Sequence, residues 1–159
     1  MKPAAIKKFR LAMVNWYNDQ QRQLPWRDTD NPYYIWVSEV MLQQTQVNTV
    51  IPYYLRFIKL FPDLKTLAKS PQQSVLKAWE GMGYYARGRN LHKAAKQVVS
   101  ELNGTVPDDP ELFHSLPGVG DYIMAAVQSI AFKHPLAVVD GNVKRVIARL
   151  FQNETPVNI

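Results

Sequence analysis

Two carboxylates of this 159-residue sequence, Glu39 and Asp140, suit acid–base chemistry. Glu39 lies in an apolar segment with Val37, Val40 and Met41, where burial would raise its pKa and favour proton donation. Asp140 directly precedes a helical pattern. Glycosidic cleavage through an oxocarbenium-like transition state needs one proton donor and one ionised carboxylate. The competing interpretations are a solvated Glu39 and an Asp140 that only caps its helix.

The pentapeptide Leu116-Pro-Gly-Val-Gly120 lies between two helical patterns. Gly118 and Gly120 allow a tight turn with positive φ and leave backbone N–H groups open at the start of the next helix. Such a turn can bind a phosphate through these donors and the helix dipole. An ordinary corner between two helices is the alternative interpretation.

Three further segments carry side chains that could contact a nucleic acid. The polar run Gln43–Thr45 could enter a duplex or read base edges, or could form a polar turn. Glycines, tyrosines and arginines alternate in Gly81–Asn90, which is consistent with a stacking wedge beside phosphate ligands or with tyrosines in a core. Trp26 and Arg27 could form a stacking and hydrogen-bonding wall, although tryptophan is more often a core residue.

Short helices must position these residues. The apolar spacing, prolines and capping residues predict helices over residues 4–20, 31–41, 47–58, 63–69, 71–80, 87–102, 110–115, 122–132 and 141–151. We expect a kink at Pro52. We expect the last helix to direct Val143, Val146, Ile147 and Leu150 inward. No long segment alternates with period two, so the sequence predicts an all-α domain with short connections.

Composition restricts the function classes. The 19 Lys and Arg residues against 13 Asp and Glu give a net charge of +6, which weakly favours a polyanionic partner. The absence of cysteine excludes disulfides and thiolate metal sites within this sequence. We find neither a targeting signal nor a stretch of about 20 apolar residues. We therefore expect a cytoplasmic protein with no membrane partner.

Five ordered motifs resemble those of the MutY family of adenine DNA glycosylases, in the helix-hairpin-helix superfamily with endonuclease III. They are Leu24-Pro-Trp-Arg27, Val37-Ser-Glu-Val-Met-Leu-Gln-Gln-Thr45, Gly83-Tyr-Tyr-Ala-Arg87, Leu116-Pro-Gly-Val-Gly120 and Val139-Asp-Gly-Asn-Val-Lys-Arg145. The resemblance implies an all-α helix-hairpin-helix glycosylase fold, with a six-helix-barrel lobe and a truncated second helical lobe. Residues 26–135 would form the barrel lobe, with the hairpin at 110–132. Residues 1–25 and 136–159 would belong to the second lobe.

The resemblance also implies an activity, the removal of adenine mispaired with 8-oxoguanine or guanine from double-stranded DNA after base flipping. Glu39 would protonate an adenine ring nitrogen and help to activate water, and Asp140 would stabilise the positive sugar. Asn142 would orient groups beside it. Tyr122 stands where lyase-competent relatives carry a catalytic lysine, so we expect hydrolysis without strand cleavage. A bacterial enzyme of this kind would be associated with the nucleoid.

Further residues match binding positions of that family. Those that match the adenine pocket are Arg22, Leu24, Trp26 and Arg27. Those that match DNA contacts are Leu42, Gln43, Gln44, Thr45, Tyr84, Arg87, Gly118, Val119, Gly120 and Lys144.

The sequence departs from the family pattern in two respects. Ile123 and Met124 replace a usual pair of small residues, so packing behind the hairpin is expected to differ. The family's later helices, the four cysteines of a [4Fe–4S] cluster and the C-terminal domain that recognises 8-oxoguanine have no counterpart here. We therefore expect no metal or cofactor in this chain, and an apolar face at residues 4–17 that is exposed or paired with a second copy.

Three alternatives to adenine removal remain open at this point. A DNA-binding remnant would keep the hairpin without catalysis. A helical interaction module would use the same helices for protein contacts alone. A mismatch thymine glycosylase of the same superfamily can also carry tyrosine in the hairpin, although Glu39 within its Ser-Glu-Val-Met-Leu-Gln-Gln-Thr run favours adenine.

Overall fold

The computed structural model describes residues 3–153, and the regular structure in this range is entirely helical. The helices are α1 Pro3–Gln20, α2 Pro32–Leu42, α3 Val47–Leu60, α4 Leu64–Lys69, α5 Gln72–Ala78, α6 Ala86–Glu101, α7 Pro110–His114, α8 Asp121–Ala131 and α9 Gly141–Phe151. The all-α prediction is confirmed for the described residues. Helix α3 continues through Pro52.

Short polar side chains cap the first turn of several helices, among them α2, α4 and α7. The Asn31 side chain accepts hydrogen bonds from the first turn of α2, at 3.0 Å from the nitrogen of Tyr33. Asp63 and Asp109 accept from the third residue of α4 and of α7, each at 2.7 Å. Because the first amides of a helix have no partner within it, these caps fix where each helix starts.

The larger of two compact units, Pro25–Val138, contains α2 to α8. Helix α2 is apolar on nearly all sides and contacts α3, α6 and α8. Its Trp36 packs edge-to-face on Phe113 of α7, with ring centroids 5.0 Å apart. A helix that is apolar all round is stable only when it is enclosed, so α2 forms the centre of this unit and buries the acidic residue that it carries.

The other unit consists of Met1–Leu24 and Val139–Ile159 and contains α1 and α9. The expectation that α9 directs its apolar side chains inward is wrong for Val143, Val146 and Ile147, which are 39%, 55% and 44% exposed. Leu150 is half-buried. A helical period identifies an apolar face, but it does not specify an element that covers it.

Helix α1 also presents apolar side chains to solvent, among them Leu11 at 63% and Trp16 at 64% exposure. Within residues 3–153, no helix combines the length and the apolar composition that crossing a membrane requires.

Candidate active site

Glu39 is a buried carboxylic acid in the middle of the unit Pro25–Val138. It lies on α2 with only 8% of its surface exposed, and its Oε2 atom is buried without a hydrogen-bond partner. Burial in apolar surroundings disfavours the charged form, so it raises the pKa of Glu39 above its usual value. This environment is the one that a proton donor requires.

Two neighbours of Glu39 act in the opposite direction. The Tyr122 hydroxyl, in the first turn of α8, donates a hydrogen bond to the Glu39 carboxyl and lowers its pKa. The positive charge of Arg27 lowers the pKa further. Burial is the largest of the three influences, so the pKa remains raised. The structure therefore brings Glu39, Tyr122 and Arg27 together.

Trp26 is buried beside Tyr54 of α3, a residue that no sequence motif marks as part of a site. The two rings meet edge-to-face with centroids 5.2 Å apart. The Tyr54 hydroxyl is buried without a hydrogen-bond partner, and burial raises the pKa of Tyr54 to about 12. No sequence signal links the two rings, because they lie on separate elements far apart in the sequence. Arg27, next to Trp26, is exposed.

The remaining residues predicted for the adenine pocket, Arg22 and Leu24, belong to the unit with α1 and α9. Leu24 is buried and Arg22 is exposed.

Asp140 caps helix α9 and is held as a carboxylate. Its Oδ1 accepts from the nitrogen of Val143 at 2.7 Å, and its Oδ2 accepts from the Asn142 side chain at 3.0 Å. The backbone hydrogen bond from Val143 is the largest cause that lowers the pKa of Asp140, with contributions from Asn142 and Arg145. The capping interpretation is thus confirmed, and the same hydrogen bonds favour the ionised form that a charge-stabilising role requires.

Asn142 is oriented from both sides. Its amide nitrogen donates to Asp140, and its Oδ1 accepts a hydrogen bond from Nη2 of Arg145. Lys144, next along α9, is exposed.

The predicted hairpin consists of α7, the turn Leu116–Gly120 and α8. Gly118 has a φ of +79°, and a Cβ placed on it would lie 2.7 Å from the Cβ of Asn90. Only glycine fits this position, because a side chain would be strained and would collide with α6. Gly120 is the N-cap of α8, which has no side-chain cap, and both glycines are exposed. Val119 is buried.

One charge at the hairpin was not anticipated. Asp121, the first residue of α8, has an almost fully exposed carboxylate that lies 3.0 Å from Nε2 of His114. A carboxylate at this position is a negative charge beside the predicted phosphate-binding turn, and the His114 side chain contacts it.

The residues predicted to enter a duplex lie on two loops of the same unit, except Leu42, which ends α2. Tyr84 is 63% exposed and Gln44 is exposed, whereas Leu42, Gln43 and Thr45 are half-buried. Tyr84 is therefore not a core residue. A cleft of about 100 Å³ lies beside these loops, and Gln43, Arg87, Asn90 and Gly118 are among its lining residues.

The [4Fe–4S] cluster implied by the family resemblance does not fit the residues present. Such a cluster needs cysteine thiolates, and the sequence has no cysteine. Among residues 3–153, no three His, Asp or Glu side chains are grouped so that they could hold a metal ion.

Comparisons with known proteins give a family match over most of the sequence. Residues 37–157 match the family described as HhH-GPD superfamily base excision DNA repair protein. A protein of Buchnera aphidicola subsp. Baizongia pistaciae named adenine DNA glycosylase is 46% identical over 144 residues, which cover 90% of this chain and 41% of that relative. The chain spans less than half of the length of the curated relatives that it matches.

Solved structures give the same fold. A thermostable thymine-DNA glycosylase has a TM-score of 0.84 and 32% sequence identity, covering 89% of this chain and 65% of that one. Endonuclease III trapped as a covalent intermediate with DNA has a TM-score of 0.85 and 24% identity, covering 99% of this chain and 73% of that one. The helix-hairpin-helix glycosylase fold predicted from the sequence is thereby confirmed.

Proposed function

Because the chain belongs to the HhH-GPD superfamily of base excision DNA repair proteins, we propose that it removes adenine mispaired with 8-oxoguanine or guanine from double-stranded DNA. Its relatives named adenine DNA glycosylase, from Buchnera, rat and human, are 46% to 47% identical to it. This similarity supports adenine as the base and DNA as the partner. If DNA is the substrate, we expect the protein at the chromosome, which in a bacterium means the nucleoid in the cytoplasm.

The environment of Glu39 is the observation that carries the proposal. A buried carboxyl with a raised pKa and one oxygen without a partner can hold a proton and present it to a bound base. In the proposed reaction, Glu39 transfers this proton to a ring nitrogen of the flipped adenine. The bond between the base and the sugar then breaks, and its electron pair leaves with the neutral adenine.

The sugar left behind carries the positive charge of an oxocarbenium ion, and Asp140 supplies the negative charge that stabilises it. The lowered pKa of Asp140 suits this role, since the group must remain ionised while Glu39 is protonated. Glu39, now a carboxylate, accepts a proton from the attacking water. The products are free adenine and an abasic site, and the acid is restored.

Hydrolysis without strand cleavage follows from the residue at position 122. A lyase reaction that begins at the sugar needs an amine that forms a Schiff base. Tyr122 has no amine, and in this structure its hydroxyl is directed at Glu39. We therefore propose a monofunctional glycosylase.

DNA binding would use the hairpin and the two exposed loops. Gly118, Val119 and Gly120 would present backbone N–H groups to a phosphate, and Lys144 would supply a positive charge. Gln44 and Tyr84 would enter or support the duplex around the mispair, with Leu42, Gln43 and Thr45 behind them. Arg22, Leu24, Trp26 and Arg27 would line the pocket for the flipped base.

A single-turnover assay tests this function. The protein in excess is mixed with a duplex that pairs adenine with 8-oxoguanine, and alkali then cleaves abasic sites. We expect cleavage at the adenine only after alkali, and none in a duplex with cytosine opposite 8-oxoguanine. Cleavage without alkali would contradict the monofunctional mechanism. A duplex that is bound without base release would leave the DNA-binding remnant as the function.

Thymine is the second candidate base, because a thymine-DNA glycosylase shares 32% sequence identity and the fold. The same assay on a duplex with a thymine–guanine mispair separates the two. Release of thymine with adenine left intact would replace the proposed substrate.

We further propose that exposed α1 mediates self-association, since Leu11, Val14 and Trp16 are 63%, 57% and 64% exposed. Sedimentation velocity should show a mass that increases with concentration and a smaller increase for Trp16→Glu. A protein that stays monomeric at every concentration would overturn this proposal. That result would favour α1 as a contact surface for a different partner.

A further inference from the structure

Two exposed residues of the site have an unfavourable backbone conformation. Gln44 and Tyr84 have φ angles of +55° and +48°. The left-handed region is disfavoured for residues with a Cβ, so these conformations persist only where the surrounding structure holds them. The two residues lie on different loops, one after α2 and one before α6.

One side chain, Arg87 of α6, contacts both loops. Its Nη2 donates to the carbonyl of Gly83, directly before Tyr84, at 3.2 Å and to Oγ1 of Thr45, directly after Gln44, at 3.1 Å. Its Nη1 donates to the carbonyl of Gln43, directly before Gln44. The acceptors thus flank Gln44 on both sides and precede Tyr84.

The same guanidinium also fixes the end of α2 and the ring of Tyr84. Nη1 donates to the carbonyls of Val40 and Met41, at 3.1 and 2.8 Å. Helix α2 has no basic residue in its last turn, so Arg87 supplies the positive charge that stabilises a helix C-terminus. The guanidinium carbon lies 5.4 Å from the ring centroid of Tyr84 and 5.6 Å from that of Trp79.

These contacts occupy the groups with which an arginine would bind a phosphate. Arg87 is only partly exposed, and its Nη1 and Nη2 groups are both directed at acceptors of the protein. No carboxylate is paired with it among residues 3–153. Neutral acceptors and two aromatic rings therefore surround its charge, which is the environment of a structural clamp.

We propose that Arg87 is a positioning residue, which holds the two loops so that the exposed side chains of Gln44 and Tyr84 are set for entry into the duplex. Arg87 then acts on DNA through these residues, and not as the phosphate ligand that the sequence suggested. This inference rests on the proposed function. Lysine cannot replace Arg87, because an ammonium group lacks the planar fork that reaches both loops.

The first test uses the free protein, so that it does not depend on the proposed function. Hydrogen exchange of the segments 43–45 and 83–85 is measured in Arg87→Lys, which retains the charge. The control is Arg89→Lys, an exposed position on the same helix. We expect faster exchange in both segments together in Arg87→Lys and no change in the control. Unchanged exchange, or faster exchange in one segment alone, would overturn the inference.

The second test uses a duplex with 2-aminopurine beside 8-oxoguanine, whose fluorescence increases when the base is unstacked. In Arg87→Gln we expect loss of this increase and a base-release rate at saturating protein at least tenfold lower. The dependence of the binding constant on salt should remain unchanged. Lys93→Gln, which removes an exposed positive charge on the same helix outside both loops, should retain both the fluorescence and the rate.

A phosphate ligand would give the opposite result. The slope of log K against log salt would fall by about 0.9 in Arg87→Gln, and the fluorescence increase would remain. Circular dichroism establishes whether each variant is folded. If Arg87→Gln does not fold, Arg87→Lys is used in its place. Absence of base release by the unmodified protein would refute the proposed function, whereas the hydrogen-exchange result would still decide the role of Arg87.

Discussion

The hydroxyl of Tyr122 donates a hydrogen bond to the carboxyl of Glu39, which joins the first turn of α8 to the middle of α2. The two helices pack against each other in the unit Pro25–Val138. Burial raises the pKa of Glu39, and this hydrogen bond limits the increase. The acidity of the proposed proton donor is therefore adjusted by a residue from a second helix.

Tyr122→Phe should move the alkaline side of the pH–rate profile to higher pH. Base release requires protonated Glu39, so the rate falls as the pH rises through the pKa of Glu39. Without the hydroxyl, the carboxylate loses a stabilising hydrogen bond and the pKa rises further. Single-turnover rates at a series of pH values measure this shift. An unchanged profile, or one moved to lower pH, would show that the hydrogen bond does not control the acid.

Glu39→Gln should abolish most of the base release and leave DNA binding intact. Loss of a general acid lowers a rate by about 10²- to 10⁴-fold. Glu80→Gln, which removes an exposed carboxylate, is the matched control and should retain the rate. If Glu39→Gln is as fast as the unmodified protein, another group donates the proton.

Glu39→Gln should also be more stable than the unmodified protein at neutral pH. Because the pKa of Glu39 is higher in the folded protein than in the unfolded chain, ionisation destabilises the folded state. The penalty is absent below the unfolded pKa, near 4.5, and grows as the pH rises through the folded pKa. Thermal melts should thus show a stabilisation by Glu39→Gln that is larger at pH 8 than at pH 4. An equal difference at both pH values would indicate a different cause.

Asp140→Asn separates the charge of Asp140 from its capping role. Asparagine is as good an N-cap as aspartate, so α9 should remain folded while the stabilisation of the positive sugar is lost. We expect a large decrease in the single-turnover rate with a melting temperature close to that of the unmodified protein. Asp140→Ala should lose about 1 kcal/mol of stability in addition. A normal rate in Asp140→Asn would reduce the residue to a helix cap.

Gly118→Ala should destabilise the hairpin, and Gly120→Ala should not do so to the same degree. At Gly118 an added Cβ meets Asn90 at 2.7 Å and the φ angle is positive, which together should lower the free energy of unfolding by about 1–3 kcal/mol. At Gly120 no atom lies within 4 Å of an added Cβ, and the loss should be at most about 1 kcal/mol. Denaturant titrations compare the two. Equal losses would refute the close contact with Asn90.

Much of the local structure follows from the sequence. Apolar spacing, prolines and short polar caps predicted each helix from α1 to α9 within a few residues, because these signals act between neighbours along the chain. The burial of Glu39 was also foreseeable in part, since the segment around it is almost wholly apolar. The same reasoning was wrong for α9, where a regular apolar face remains exposed at Val146 and Ile147.

The sequence by itself determined the helices, the hairpin glycines and the residue types of the candidate site, including both carboxylates. Only the tertiary structure decided that Tyr122 contacts Glu39 and that Tyr54 packs against Trp26. It also decided that the guanidinium of Arg87 donates to carbonyls of the protein itself. The reason is physical. Helix periods and caps depend on residues within about four positions of one another, whereas these contacts join helices and loops that are distant in sequence, and they exist only once those elements have packed.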